Sequence, residues 1–178
     1  KAMDFVKVAH RNSQRLLSLV NDILDMDKLL SGKMTLHLDT IDLNALIQDA
    51  ISVNAPYATN YKVQYQYMPS DNLPQILGDY QRLMQVMANL MSNAAKFSVP
   101  EKSVDIRVQQ VEKMMRIEVQ DYGCGMPSAF QARVFEAFSQ ADRAGATKQG
   151  GTGLGLNITK NIVEAMGGEI GFSSVVDV

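Results

Sequence analysis

The first thirty residues carry apolar side chains at spacings of three and four, the pattern of a long amphipathic helix. We predict one helix over about residues 4–30, ended by Gly32. Its narrow apolar seam consists of Leu16, Val20, Ile23 and Leu30, flanked by Leu17 and Leu24. A seam this narrow favours packing against a partner helix, as in a coiled coil or a helical bundle.

From residue 34 onward, short alternating stretches predict strands and longer amphipathic stretches predict helices. The predicted strands are residues 34–38, 63–67, 75–78, 104–110, 114–120 and 169–174. One predicted helix begins after Asp42, and another runs from an Asp79 cap to Phe97. The last predicted helix covers residues 153–166 and is ended by Gly167 and Gly168. Hairpins mixed with helices predict an α+β fold, a two-layer α/β sandwich with helices on one face of a mostly antiparallel sheet.

Composition narrows the function classes. The chain has 178 residues and a net charge of −2, so it carries no basic footprint for nucleic acid. The single cysteine, Cys124, excludes an intramolecular disulfide, and we expect it to be a small buried filler. No apolar run approaches membrane-spanning length, so we expect a soluble, cytoplasmic chain. Lys1 and Val178 look like cut ends, which predicts a fragment of a longer protein.

A polar face on the third predicted helix, which ends at Phe97, is the first candidate for chemistry. Asn89 and Asn93 are four residues apart and share a face, with Gln85 one turn before and Lys96 three residues after. One interpretation is an amphipathic helix with a solvated polar face. The other is a Mg²⁺–triphosphate site, because an asparagine carbonyl suits a hard cation and a lysine adds a positive charge for phosphate.

A second candidate follows the predicted strand 114–120. The sequence Asp121-Tyr122-Gly123-Cys124-Gly125 places a carboxylate at a strand end, where it can accept a hydrogen bond from an exocyclic amine of a base. Gly123 and Gly125 would let the backbone pass close to a flat base because they have no Cβ. The alternative is an ordinary glycine-rich turn after a strand.

A third candidate is the glycine loop 150–156, which opens a predicted helix and offers backbone N–H groups to an anion. It matches neither the dinucleotide fingerprint nor the P-loop. A mobile hinge is the other interpretation, and we expect both properties in a nucleotide lid. Before this loop, Phe135 and Phe138 are expected to anchor the lid base. Arg143 and Lys148 either reach a γ-phosphate or are merely exposed to solvent.

In this order, the three motifs resemble the ATP-binding catalytic domain of sensor histidine kinases, in the superfamily that includes gyrase, mismatch-repair ATPases and heat-shock chaperones. The resemblance covers residues 39–178, which we expect to be truncated at the C-terminus. Residues 1–38 resemble the second helix of the dimerisation and phosphoacceptor domain plus a linker, with residues 16–25 as its signature. The run 135–142 before the glycine loop is most like hybrid kinases.

The resemblance implies roles for individual residues. Asn93 would bind Mg²⁺, Lys96 would contact a phosphate and Phe97 would lie near the adenine. Asp121 would bind the adenine amine, and Gly123 and Gly125 would shape that pocket. The implied nucleotide contacts around the lid are Phe138, Arg143, Lys148, Gly151, Thr152, Gly153, Leu154 and Gly155.

Asn89 bears on the kind of reaction. Hydrolytic members of the superfamily place a glutamate here, which can accept a proton, whereas a neutral asparagine does so poorly. With Asn93 and Lys96, Asn89 therefore forms a catalytic set that holds ATP for transfer to another nucleophile. The resemblance implies a histidine on the first dimerisation helix, within a His-Glu/Asp-Leu-Arg pattern. Neither His10 nor His37 matches that pattern, so we expect Mg-ATP binding without self-phosphorylation.

The implied partners are ATP or ADP, that first dimerisation helix, and the receiver domain of a response regulator. The parent protein would be a homodimer, and the sequence leaves its membrane attachment open. Two alternatives remain: a non-catalytic nucleotide-binding or docking module derived from a kinase, and a hydrolytic ATPase of the same superfamily. Use of the N-terminal helix as an oligomer seam is compatible with the kinase interpretation.

Overall fold

The computed structural model describes residues 2–32, 34–140 and 152–176. Its helices are α1 (Ala2–Leu30), α2 (Leu43–Tyr61), α3 (Tyr80–Phe97), α4 (Ser128–Gln131) and α5 (Gly155–Ala165). Its strands are β1 (Asp39–Ile41), β2 (Gln64–Tyr67), β3 (Ile76–Gly78), β4 (Ser103–Val111) and β5 (Met114–Gln120). None of the helices in these described ranges is both long enough and apolar enough to cross a bilayer.

The strands form two small sheets. β1 pairs antiparallel with β3, while the other sheet has the order β2-β4-β5, with β2 parallel and β5 antiparallel to β4. One face of the larger sheet carries α2 and α3, whose buried residues Ile47, Ala50, Met87 and Met91 pack around Ile106 of β4. The arrangement is the predicted α+β two-layer sandwich.

Helix α3 is the centre of the packing. Met87 and Met91 face the sheet, Ala94 and Ala95 pack with Val63 and Val104, and Val86 faces α5. On its far side, α5 contributes Ile158 and Ile162 to a cluster that Met26 of α1 joins. Helix α3 is therefore covered on two sides, and its remaining surface is polar.

Helix boundaries follow the capping residues that the sequence predicts. Asp42 accepts from the backbone N–H groups of Asn44 and Ala45 at the start of α2, and Asp79 accepts from that of Arg82 at the start of α3. Helix α2 is longer than the amphipathic stretch after Asp42 indicates: it continues through Pro56 to Tyr61. Its C-cap is Lys62, a left-handed residue with φ of 56°. Gly167, with φ of 76°, follows the end of α5 as expected.

Two predicted strands are wrong. Residues 34–38 are irregular because their polar backbone is satisfied elsewhere: the His37 N–H donates to Oδ2 of Asp79 at 2.9 Å, while strand pairing begins only at Asp39. Residues 169–174 also form no strand; this segment is held by side chains, with Phe172 against Phe135 and the Ser174 hydroxyl accepting from the N–H of Met126.

Asp79 joins the linker to α3. Burial alone would raise its pKa, but the N–H groups of His37, Arg82 and Gln81 donate to the carboxylate and, with the nearby Arg82 charge, bring the pKa below its ordinary value of 3.8. A carboxyl group whose pKa is lowered on folding stabilises the fold above its unfolded pKa, and this contribution disappears as pH falls through the folded value.

Replacing Asp79 with alanine is expected to lower the free energy of unfolding by about 2 kcal/mol, since it removes a cap and leaves partly buried N–H groups without their acceptor. Urea unfolding at several pH values measures this. The loss should be full near neutral pH and shrink as pH falls below about 3.8. Asp42→Ala is the matched control, because it removes an exposed cap only and should cost about 1 kcal/mol. Equal losses in the two variants would contradict the role of the His37 contact.

Candidate functional site

An amide chain fixes the polar face of α3 to α5. Nδ2 of Asn89 donates to the Thr159 hydroxyl on α5 at 2.7 Å, and Nδ2 of Asn93 donates to Oδ1 of Asn89 at 3.3 Å. Thr159 is buried, so this connection is shielded from water. The Asn93 amide nitrogen is used in this bond, and the carbonyl oxygen of the same side chain has the chemistry to accept from, or coordinate, a ligand.

The glycine loop meets this same face. Gly155 is the first residue of α5, and a Cβ there would overlap the side-chain oxygen of Asn89. Leu154 is fully buried against Val86 of α3, and its N–H donates to the Thr152 hydroxyl at 3.1 Å. No side chain in the described ranges caps the start of α5. Its first N–H groups are therefore able to bind an anion beside Asn89.

The C-terminal end of α3 meets the loop that follows β5. Ser98, directly after α3, forms a bridge with Gly123, and the Val99 N–H donates to the Tyr122 carbonyl at 3.4 Å. The Gly123 N–H donates to Oδ1 of Asp121 at 2.9 Å, while the Asp121 side chain is exposed. A carboxylate that accepts one internal bond and faces solvent can accept a second from an amine of a ligand.

The glycines of this loop lie close to neighbouring backbone. A Cβ on Gly123 would overlap the Phe97 carbonyl, and one on Gly125 would overlap the Val175 carbonyl. These glycines therefore admit backbone of the same chain, and their predicted place beside a base stays a prediction. The close approach at Gly123 is what brings the end of α3 against the Asp121 loop.

Helix α3 thus connects two candidate ligand regions. Asn89 and Phe97 are eight residues apart, which corresponds to about 12 Å along a helix. Lys96 lies near the second region, with Nζ 4.7 Å from the centre of the Phe97 ring. Phe97, the last residue of α3, is 40% exposed. Phe97 is therefore partly exposed at the end of α3 that meets the Asp121 loop.

Two further expectations are corrected. Phe138 is 65% exposed with φ of 62°, so it does not anchor the lid base; Phe135 does, through an edge-on contact with Phe172 at 5.9 Å between ring centres. Cys124 is exposed, not a buried filler. Gly153 packs on the backbone of Phe138, which ties the loop to this segment. Arg143, Lys148 and Gly151 lie outside the described residues.

Comparisons with known proteins give matches over more than half of this chain. The family model described as "Histidine kinase-, DNA gyrase B-, and HSP90-like ATPase" matches residues 78–177. "Sensor protein GacS" of Pseudomonas syringae pv. syringae is 37% identical, with 98% of this chain and 20% of the relative covered. "Signal transduction histidine-protein kinase BarA" of Escherichia coli K12 is 33% identical, with 96% and 19% covered. The chain therefore spans about a fifth of the length of these curated relatives.

Solved structures share the fold of this chain. "ShkA full-length in complex with AMPPNP" superposes with a TM-score of 0.77 at 32% identity, covering 92% of this chain and 34% of that one. "Acinetobacter baumannii histidine kinase AdeS" superposes with a TM-score of 0.75 at 21% identity, covering 92% and 74%. At that lower identity, the second match is evidence for the fold alone.

Sequence reasoning missed how α1 contacts this site. Asp25 of α1 forms a salt bridge with Arg82 at 3.2 Å and accepts from Nε2 of Gln85 at 2.7 Å. One turn earlier, Oδ2 of Asp22 accepts from the Thr152 hydroxyl of the glycine loop at 3.3 Å. The signal in the sequence was two carboxylates three residues apart beside the apolar seam, but nothing in the sequence indicated which surface they face.

Burial raises the pKa of Asp22 above its ordinary value of 3.8; the Thr152 hydrogen bond opposes this shift, and the negative charge of Asp25 adds to it. A carboxyl group whose pKa is raised on folding binds its proton more tightly in the folded state. Stability therefore falls as pH rises from the unfolded pKa to the folded pKa, and it stays at the lower level above that window.

Asp22→Asn is expected to remove this pH dependence and to stabilise the contact between α1 and the glycine loop at neutral pH, because an amide can still accept from Thr152 without carrying a buried charge. Thermal unfolding of both proteins between about pH 3.5 and pH 7 measures the difference. Asp27→Asn is the control, since Asp27 is exposed on the same helix. A lower melting temperature for Asp22→Asn at neutral pH would contradict this account.

Proposed function

Because this chain belongs to the family of histidine kinase-, DNA gyrase B- and HSP90-like ATPases, we propose that it is the ATP-binding catalytic module of a sensor histidine kinase. The module would bind Mg-ATP and transfer the γ-phosphoryl group to a histidine on a dimerisation domain. The observation that carries the proposal is the placement of two motifs about two helical turns apart along α3. The glycine loop packs on Asn89, near the middle of the helix, and the Asp121 loop packs on Phe97, at its C-terminal end.

The two regions along α3 suit the two parts of ATP. In the Asp121 region, an exposed carboxylate held by the Gly123 N–H would accept from the adenine amine, with Phe97 beside the ring. In the Asn89 region, the uncapped start of α5 would bind phosphate oxygens. The separation of about 12 Å along α3 is of the size needed for an extended nucleotide between them.

The residues at the phosphate end fit a magnesium ion. Oxygen is the donor that Mg²⁺ prefers, and the hydrogen bond from Nδ2 of Asn93 to Asn89 leaves the Asn93 carbonyl oxygen for that purpose. Lys96, three residues beyond Asn93 on α3, would supply positive charge to a phosphate held between the two regions. When bound, Mg²⁺ neutralises negative charge on the triphosphate. The chain itself contributes position and electrostatic stabilisation.

Asn89 favours transfer over hydrolysis. Both polar atoms of its side-chain amide form hydrogen bonds: Nδ2 donates to Thr159, and Oδ1 accepts from Asn93. Asn89 also has no carboxylate with which to deprotonate water. Asn89 would act by holding Asn93 and the start of α5 in register. The proposed parent is a homodimer in the cytoplasm or anchored at a membrane, and its phosphoryl group would pass to a response-regulator receiver domain.

Calorimetric titration with ADP or a non-hydrolysable ATP analogue, with and without Mg²⁺, tests nucleotide binding. Asp121→Asn is expected to weaken binding more than tenfold, since a hydrogen bond to a charged group contributes about 1.5–3 kcal/mol. Asn93→Ala should lose the Mg²⁺ dependence and keep part of the affinity for the base.

Asp71→Asn and Asn161→Ala are the matched controls for this titration. Asp71 is an exposed carboxylate in the turn between β2 and β3, and the Asn161 amide bonds within its own helix. Both should bind like the unchanged protein. A folded protein that binds no nucleotide would support the docking-module alternative instead.

Incubation with γ-labelled ATP tests the reaction. We expect no stable phosphohistidine on His10 or His37, because neither lies in an acceptor pattern. Label should pass to an added dimerisation domain that carries the His-Glu/Asp-Leu-Arg pattern. Phosphohistidine on either residue would contradict the first expectation. Nucleotide binding without transfer would favour a non-catalytic module, and steady phosphate release without an acceptor would favour a hydrolytic ATPase.

A further inference from the structure

Tyr122 is fixed at both of its ends, although no motif requires a tyrosine at this position. Its carbonyl accepts from the Val99 N–H at 3.4 Å, just beyond α3. Its hydroxyl donates to Oδ2 of Asp105 on β4 at 2.8 Å. Tyr122 therefore connects the Asp121 loop both to the end of α3 and to the sheet.

Asp105 is a firm acceptor for this hydroxyl. It lies on β4 directly opposite Gln120, the last residue of β5. The same Oδ2 accepts from Arg107 at 3.2 Å, and Arg107 also donates to Gln120 at 2.7 Å. The carboxylate side chain is only 18% exposed, so water competes weakly for it. A hydrogen bond from a hydroxyl to a charged carboxylate that is largely shielded from water is stronger than one between neutral groups.

The directions of the pKa shifts of Asp105 and Tyr122 agree with this geometry. The hydroxyls of Ser103 and Tyr122 lower the pKa of Asp105, with the Arg107 charge acting in the same direction, and the hydrogen bond to Asp105 raises the pKa of Tyr122. Oδ1 of Asp105 nevertheless accepts no well-formed hydrogen bond from the described residues, so we regard its interaction with Ser103 as the weaker one. The Tyr122 hydroxyl is thus the principal uncharged donor to this carboxylate.

The position of Asp121 depends on these attachments. Asp121 lies between Gln120, which is paired with Asp105, and Gly123, which is paired with Ser98. Only Asp121 and Tyr122 lie between these paired residues, and Asp121 is exposed. Two side-chain contacts among the described residues restrain this short segment: the Gly123 N–H donates to Oδ1 of Asp121 within the loop, and the Tyr122 hydroxyl attaches the loop to the sheet.

We propose that Tyr122, held by Asp105, is a positioning residue that sets the orientation of the Asp121 carboxylate and thereby the selectivity of the site for adenine. This inference rests on the proposed nucleotide site and adds a residue pair that acts from outside the pocket. Loss of the hydroxyl would leave the pocket residues intact and would free the carboxylate to turn away from the amine of the base.

Titration with ADP and inosine diphosphate tests the proposal, because inosine diphosphate has a carbonyl in place of the adenine amine. Tyr122→Phe is expected to weaken the binding of ADP roughly threefold to tenfold, a loss no larger than one hydrogen bond to a charged group contributes. The affinity for inosine diphosphate should change by no more than about twofold. The ratio of the two affinities should therefore fall. General destabilisation of the fold would lower both affinities together and leave the ratio unchanged.

Tyr80→Phe is the matched control. The Tyr80 hydroxyl donates to a carboxylate oxygen of Asp49, so it makes the same kind of bond away from the Asp121 loop. Its removal should leave the ratio unchanged. Asp105→Ala should lower the ratio as Tyr122→Phe does, and the double variant should add nothing further. Asp105→Asn, which keeps an acceptor, should restore most of the selectivity.

The outcomes separate the two proposals. If the unchanged protein fails to bind ADP, the proposed function and this inference both fail. If it binds ADP and Tyr122→Phe leaves the ratio unchanged, or Tyr80→Phe lowers it equally, only the role of Tyr122 is overturned. A ratio that falls with Tyr122→Phe and Asp105→Ala alone supports it.

Discussion

The packing of α3 is the constraint on which the rest of the structure depends. Two sides of this helix are consumed by apolar contacts, one with the sheet through Met87 and Met91 and the other with α5 through Val86. The strip that remains must be polar, and it carries Asn89, Asn93 and Lys96. Hydrophobic burial thus determines which way the candidate chemistry faces, since turning the helix to hide these amides would expose the core.

The ends of α3 explain how separate motifs become one site. At its start, Asp79 collects N–H groups from the linker and from α3 itself, and its own N–H contacts the Met166 sulfur after α5. At its end, Ser98 pairs with Gly123. Because both ends are attached to other segments, α3 cannot slide along its axis without breaking a contact at each. Rigid elements of this kind are what hold catalytic groups in a fixed geometry.

The sequence predicted the elements whose signals are local. The Asp42 and Asp79 caps, the β4–β5 hairpin and the glycines after α5 are each recognisable within a few residues. It failed where long-range contacts decide. Residues 34–38 alternate like a strand, yet His37 is bound to a residue 42 positions away. The three motifs were found from their order, but their contacts through Asn89, Gly155, Phe97 and Gly123 are tertiary. The Asp22 and Asp25 contacts required knowing where α1 lies.

The contact between Asn89 and Gly155 also has an evolutionary consequence. Asn89 is enclosed by Thr159, Asn93 and the bare Cα of Gly155. A longer acidic side chain at position 89 would need new room and new partners at the other three positions. Exchange between a phosphoryl-transferring and a water-activating enzyme on this fold would then proceed through several linked substitutions.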